Sequence, residues 1–142
     1  MNNYKKNTKS LYIGDCQVGG NSNISVQSMT KTPTSDVSKT LNQILSLHEN
    51  GCDIIRCGVP DQESAIALKE IVKNSPIPVI ADIHFHYELA LQAIESGVNG
   101  LRLNPGNIRD KTKITDIVKN ANKKNIPIRI GVNFGTVSYT HL

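Results

Sequence analysis

Arg56, Asp82, His84, Arg102, Asn104, Arg129 and Asn133 are the residues whose types and spacing point to chemistry. They fall in four short stretches that read as strands: DIIRCGV at 53–59, VIADIH at 79–84, GLRLN from 100 and IRIGV from 128. Side chains alternate faces along a strand. In each stretch one parity is aliphatic: Ile55, Cys57 and Val59; Val79, Ala81 and Ile83; Leu101 and Leu103; Ile128, Ile130 and Val132. The opposite parity carries the polar residues, set toward the C-terminal halves. Guanidinium groups and amides gathered at strand ends suit an oxyanion, because a planar guanidinium meets phosphate with two parallel hydrogen bonds. The turn Asn104-Pro105-Gly106-Asn107 adds backbone N–H groups beside Arg102.

The use of arginine sharpens this reading. The chain has 12 Lys and 4 Arg, so Lys serves wherever a solvated positive charge is enough. Positions that keep Arg are candidates for a bidentate role. Three of the four (Arg56, Arg102 and Arg129) lie on the polar parity, and Arg109 does not. Asp82 is the only acid among them. Two arrangements fit: an internal ion-pair network around Asp82, or a bound di-anion or diphosphate. The second accounts better for the excess of cations. His84 and His86 share a face and resemble a metal pair, but no further acid or cysteine at a nearby strand end completes a site, so no metal is expected. His86 is expected to start the following helix.

The elements that must position these residues alternate along the chain. Leu11 to Val18 reads as a small hairpin around Gly14-Asp15, and Ile24 to Met29 as a first strand. Apolar residues then recur at helical spacing. Val37, Leu41, Ile44, Leu45 and His48 form one inward set, Ala65, Leu68, Ile71 and Val72 a second, Leu89, Ala90, Ala93 and Ile94 a third, and Ile114, Ile117, Val118 and Ala121 a fourth. The order βαβαβαβαβ implies a parallel sheet covered by helices. A doubly wound sheet or a (β/α)8 barrel would fit. The absence of a Gly-rich dinucleotide fingerprint after the first strand favours the barrel. Such a barrel takes eight strands and about 250 residues. These 142 residues would then be the first five βα units of a TIM (β/α)8 barrel, truncated, behind a short N-terminal β-hairpin. The division expected is an extension and hairpin over 1–23, a partial barrel over 24–135 and an atypical tail over 136–142. The first strand's pattern does not fix which of Gln27, Ser28 and Met29 face inward.

Composition excludes several classes. Net charge is +4 with histidines neutral, the lysines are scattered and tryptophan is absent, so no nucleic-acid partner is expected. No apolar run approaches the roughly 20 residues of a membrane span, and the polar N-terminus lacks a signal-peptide core. Cys16, Cys52 and Cys57 form no CxxC pair, which suggests reduced thiols in a cytoplasmic protein, with Cys52 and Cys57 buried.

Four motifs carry a resemblance. Val26-Gln27-Ser28-Met29-Thr30, Ala81-Asp82-Ile83-His84-Phe85, Leu101-Arg102-Leu103-Asn104-Pro105-Gly106-Asn107 and Pro127-Ile128-Arg129-Ile130-Gly131-Val132-Asn133 resemble, in order, the N-terminal barrel of the 4-hydroxy-3-methylbut-2-enyl diphosphate synthase family. The resemblance runs from about Tyr12 to Asn133. It implies a reductive ring opening of 2-C-methyl-D-erythritol 2,4-cyclodiphosphate in non-mevalonate isoprenoid biosynthesis, with ferredoxin or flavodoxin as electron donor. Arg56, Arg102 and Arg129 would hold the cyclic diphosphate, His84, Asn104 and Asn133 would hydrogen-bond to it, and Asp82 would orient the cluster. The family's 4Fe–4S cluster is held by three Cys and a Glu in a separate C-terminal domain, in a homodimer. The three cysteines here do not match that ligand motif, so no cluster, metal or catalytic residue is assigned within this chain. Thr136 to Leu142 departs from the family pattern and reads as foreign to the gene. Taken alone the segment is expected to be inactive. Two other readings stay open: a non-catalytic anion-binding fragment, and a dihydropteroate synthase-like barrel.

Overall fold

The computed structural model describes residues 8–104, 106–108 and 110–131. Three helices begin at an aspartate for the same reason. The first N–H groups of a helix have no partner within it, and a carboxylate one position earlier accepts one of them. Asp36 accepts from Lys39 N at 3.1 Å and starts α1 (Val37–Glu49). Asp61 accepts from Ser64 N at 2.8 Å and starts α2 (Gln62–Asn74). Asp110 accepts from Thr112 N at 2.9 Å and starts α4 (Lys111–Lys123). Bonds to Lys39, Ser64 and Thr112 respectively hold these carboxyls below their ordinary pKa. The helix α3 (Tyr87–Glu95) starts at His86 without a side-chain cap.

The strands are β1 (Leu11–Ile13), β2 (Cys16–Val18), β3 (Gln27–Met29), β4 (Ile54–Gly58), β5 (Val79–Ile83), β6 (Gly100–Leu103) and β7 (Ile128–Ile130). The strands β3 to β7 form one parallel sheet in chain order. A doubly wound sheet reverses its strand order at a switch point. This one does not, so successive helices pack beside one another on a single face, α1 on α2, α2 on α3 and α3 on α4. The other face is left to be the inside of a barrel. The sheet is strongly curled: Gln27 on the first strand and Arg129 on the last are hydrogen-bonded at 2.6 Å. In a flat sheet those strands would stand about 19 Å apart, four spacings of roughly 4.8 Å, beyond the joint reach of the two side chains.

The aliphatic parity of β4, β5 and β6 forms the core. Ile130, expected on that parity, is exposed on β7, which pairs only with β6 at the edge of the described sheet. Ile55, Cys57, Val79, Ala81 and Ile83 are fully excluded from solvent and meet Ile44, Leu68, Ile71, Ile94 and Ile117 of the helices. Each such isoleucine or leucine contributes roughly 1.5–3 kcal/mol of burial. A smaller cluster sits at the N-terminal end of the inward face, where Ile13 of the hairpin packs on Ile54 and Ile80. Gly100 borders this cluster: a Cβ there would stand 3.3 Å from Ile80 Cγ1 and 3.6 Å from Ile13 Cγ2. The hairpin therefore plugs that end of the sheet.

Three expectations are corrected. The first strand is Gln27–Met29 rather than 24–29, and Ile24 is almost fully exposed. Val26 instead engages the start of the next strand through loop hydrogen bonds, its N–H donating to Asp53 Oδ2 at 2.8 Å. Helix α1 turns Thr40 and Ile44 inward and leaves Leu45 and His48 exposed. The Thr40 hydroxyl is satisfied by Pro33 O at 3.1 Å and Thr32 Oγ1 at 2.8 Å, so a polar residue outside the apolar set is buried. Val118 of α4 is about half exposed as well. No helix among the described residues is long and apolar enough to cross a membrane.

Candidate functional site

Strand register sets the site. Gly58, Asp82, Arg102 and Arg129 are paired neighbours across β4, β5, β6 and β7, so their side chains form one row on the inward face. Met29 and Arg56 are paired in the adjacent row. His84 follows β5 on the same parity as Asp82.

Asp82 is the centre, with its side chain 2% exposed. Its Oδ1 accepts from Arg102 Nη1 at 3.2 Å. Its Oδ2 lies 3.2 Å from Arg56 Nε and 3.4 Å from His84 Nε2. The ion-pair network that the sequence left open as an alternative is therefore present. It does not balance. Arg129 takes no part in it and is held by the neutral Gln27 amide oxygen. Two guanidiniums, Arg56 and Arg102, share one carboxylate, an excess of one positive charge, and the exposed Arg129 adds a second across the curl.

Arg56 carries the clearest sign of an unfilled role. Its Nε is within ion-pair distance of Asp82, yet the N–H direction misses the oxygen, and this buried atom makes no hydrogen bond among the described residues. Its Nη2 donates to Met29 Sδ at 3.1 Å. A thioether is a weak acceptor. Leaving the buried Nε donor of a cation unmatched is unfavourable, and an oxyanion would correct it.

Asn104 is buried, and its Oδ1 accepts from Gly106 N at 3.1 Å while its carbonyl accepts from Asn107 N at 3.0 Å. That side-chain oxygen shapes the turn after β6. Asn133 lies outside the described residues. The structure thus brings Arg56, Asp82, His84 and Arg102 together, sets Arg129 across the curl, and uses one end of Asn104 for the loop. Gln27 and Met29 join the site without having been singled out. A three-residue strand is too short for alternation to fix its parity; only its register against β4 does so. Phe85 stands beside His84 and is largely exposed at the same end of the sheet.

The cysteines do not fit an iron–sulfur cluster. Cys57 lies on the helix-facing side, where burial pushes its thiol up to about 11, against a smaller opposing effect of a Thr30 hydrogen bond. Cluster ligation needs thiolates. Cys52 is buried with its Sγ donating to Ile54 O at 3.1 Å, and burial together with Asp53 and Asp15 raises Cys16. Among the described residues no group of three or more His, Cys, Asp or Glu could hold a metal ion.

A sequentially ordered parallel sheet, helices on one face and a cation-lined mouth on the other define part of a (β/α)8 barrel. The chain belongs to the GcpE TIM-barrel domain family, whose model matches residues 8–142. Relatives named 4-hydroxy-3-methylbut-2-en-1-yl diphosphate synthase (flavodoxin) include one from Sulfurihydrogenibium sp., 53% identical over 94% of this chain and 38% of the relative. Those from Clostridium perfringens and Clostridium acetobutylicum are 52% and 54% identical, over 94% and 92% of this chain and 38% and 37% of the relatives. The chain thus spans well under half the length of the curated relatives it matches. Among solved structures, 7,8-dihydropteroate synthase from Vibrio fischeri superposes with a TM-score of 0.62 over 85% of this chain and 48% of that one, at 15% identity. The Xanthomonas albilineans dihydropteroate synthase gives 0.55 at 18% identity over 80% and 44%. At such identities the likeness is one of fold alone.

Proposed function

We propose that this chain is the substrate-anchoring part of a reductase that opens 2-C-methyl-D-erythritol 2,4-cyclodiphosphate to 4-hydroxy-3-methylbut-2-enyl diphosphate. The observation that carries the reading is the unbalanced cluster: Arg56 and Arg102 on one carboxylate, Arg129 outside it, and a buried Arg56 Nε with no hydrogen bond among the described residues. A diphosphate supplies the missing negative charge and acceptor oxygens. Arg56, Arg102 and Arg129 bind it, and His84 and Asn133 add hydrogen bonds. Asn104 contributes through the turn it shapes. Asp82 fixes the directions of Arg56 and Arg102, so less freedom is lost when the anion arrives.

The reaction adds two electrons and two protons and releases water. A 4Fe–4S cluster would pass the electrons, supplied by flavodoxin as the relatives' names indicate, from a part of the enzyme beyond this barrel segment. The complete enzyme would be a cytoplasmic homodimer. Nothing in the present cysteines serves that step, and this segment's task is binding and orientation.

Arg102→Lys tests the assignment. Lysine keeps the charge but not the planar fork. A charge-assisted hydrogen bond is worth about 1.5–3 kcal/mol, so calorimetric affinity for the cyclodiphosphate is expected to fall roughly 10- to 100-fold. An unchanged affinity would remove Arg102 from the site.

A further inference from the structure

Gly131 lies directly after β7, on the parity of Arg129, with its N–H donating to Leu103 O at 2.7 Å. Its backbone is not in the left-handed region, so the conformation does not demand glycine. What demands it is a side chain. A Cβ at this position would meet Nε, Nη2 and Cζ of Arg102 well inside van der Waals contact. The three nearest atoms are all from that one guanidinium, and none is backbone. The same guanidinium places Nη1 on Asp82 Oδ1 at 3.2 Å. The Arg102 head group is therefore held between two things: a carboxylate on one neighbouring strand and an empty space on the other.

We propose that Gly131 is a positioning residue, whose missing side chain forms the slot that seats the Arg102 guanidinium against Asp82. The proposal rests on the reading of this cluster as an anion site. Any side chain at 131 forces the guanidinium out of the slot. Arg102 is flexible enough to move, so the fold survives and the alignment with Asp82 is lost. The residue acts through Arg102 and touches no ligand itself.

The test is a four-way cycle of Gly131→Ala and Arg102→Ala in this chain, with inorganic diphosphate as the probe and Arg Nε–H resonances read by NMR without ligand. Gly131→Ala is expected to displace the Arg102 Nε–H resonance and to weaken diphosphate binding about tenfold, the lower end for a charge-assisted bond. With Arg102→Ala in the background, the alanine at 131 should change affinity less than twofold, because nothing remains to displace. An unmoved Arg102 resonance, or equal losses in both backgrounds, overturns the proposal. Should Gly131→Ala be too unstable to study, restoration of folding by the added Arg102→Ala supports the steric slot, and its absence counts against it. If the unmodified chain binds no diphosphate, the anion reading fails, and the ligand-free resonances still decide the role of Gly131.

Discussion

Asp82 holds two arginines in place while being almost wholly shielded from water, and this makes it the most sensitive residue of the site. Asp82→Asn keeps the shape and removes the charge. The loss is expected to be about 3 kcal/mol in urea unfolding, the lower end for breaking a buried ion pair from one side, since both arginines retain some solvent. Because a ligand that binds only the folded state stabilises it, millimolar inorganic diphosphate should recover part of that loss. A cost under about 1 kcal/mol would mean that the guanidiniums need no buried partner. At this scale the sequence was informative. The parity rule placed Arg56, Asp82, His84 and Arg102 on one face, and the structure has them there. It could not separate network from ligand site, because both use the same residues; the distances and the unmatched Arg56 Nε were needed. Gln27 as the partner of Arg129 was beyond reach, since the two are 102 positions apart and meet only when the sheet curls. Gly131 was equally silent, as an unoccupied volume leaves no mark in composition.

The helices and strands followed from local rules where those rules were strong. Asp36 and Asp61 mark the starts of α1 and α2, Gly51 marks the end of α1 and Ser75-Pro76 the end of α2. Periodicity misjudged Leu45 and His48, because hydrogen bonds of Thr40 to the loop before α1 turn that residue toward the sheet, and it also misjudged Val118 of α4. The hairpin was recognised as a hairpin, but its task was not. Ile13 packs on Ile54 and Ile80 of the sheet, a contact no pattern within Leu11–Val18 could disclose. Ile13→Ala should therefore cost about 2–4 kcal/mol, as for other large buried aliphatics cut to alanine. The loss belongs to the whole sheet and should shift the single unfolding transition. A separate, early loss of the hairpin with the main transition unmoved would show that the plug is an ornament on the barrel.

For the molecule as a whole, chain-order strand pairing is the decisive fact. It places the described helices on one face and leaves the other as an interior face, where Asp82 is shielded while His84 and Arg129 stay open to solvent. The motif resemblance pointed to this barrel, and the family match over residues 8–142 agrees. What the account claims centrally is that the interior mouth holds a doubly charged phosphate ligand. Calorimetric titration of this chain with 2-C-methyl-D-erythritol 2,4-cyclodiphosphate, repeated across salt concentrations and against the neutral tetrol 2-C-methylerythritol, tests it most directly. The account predicts saturable one-to-one binding of the cyclodiphosphate that weakens as salt rises, and none of the tetrol. Absence of binding by a folded chain, or equal binding of the neutral compound, would contradict it.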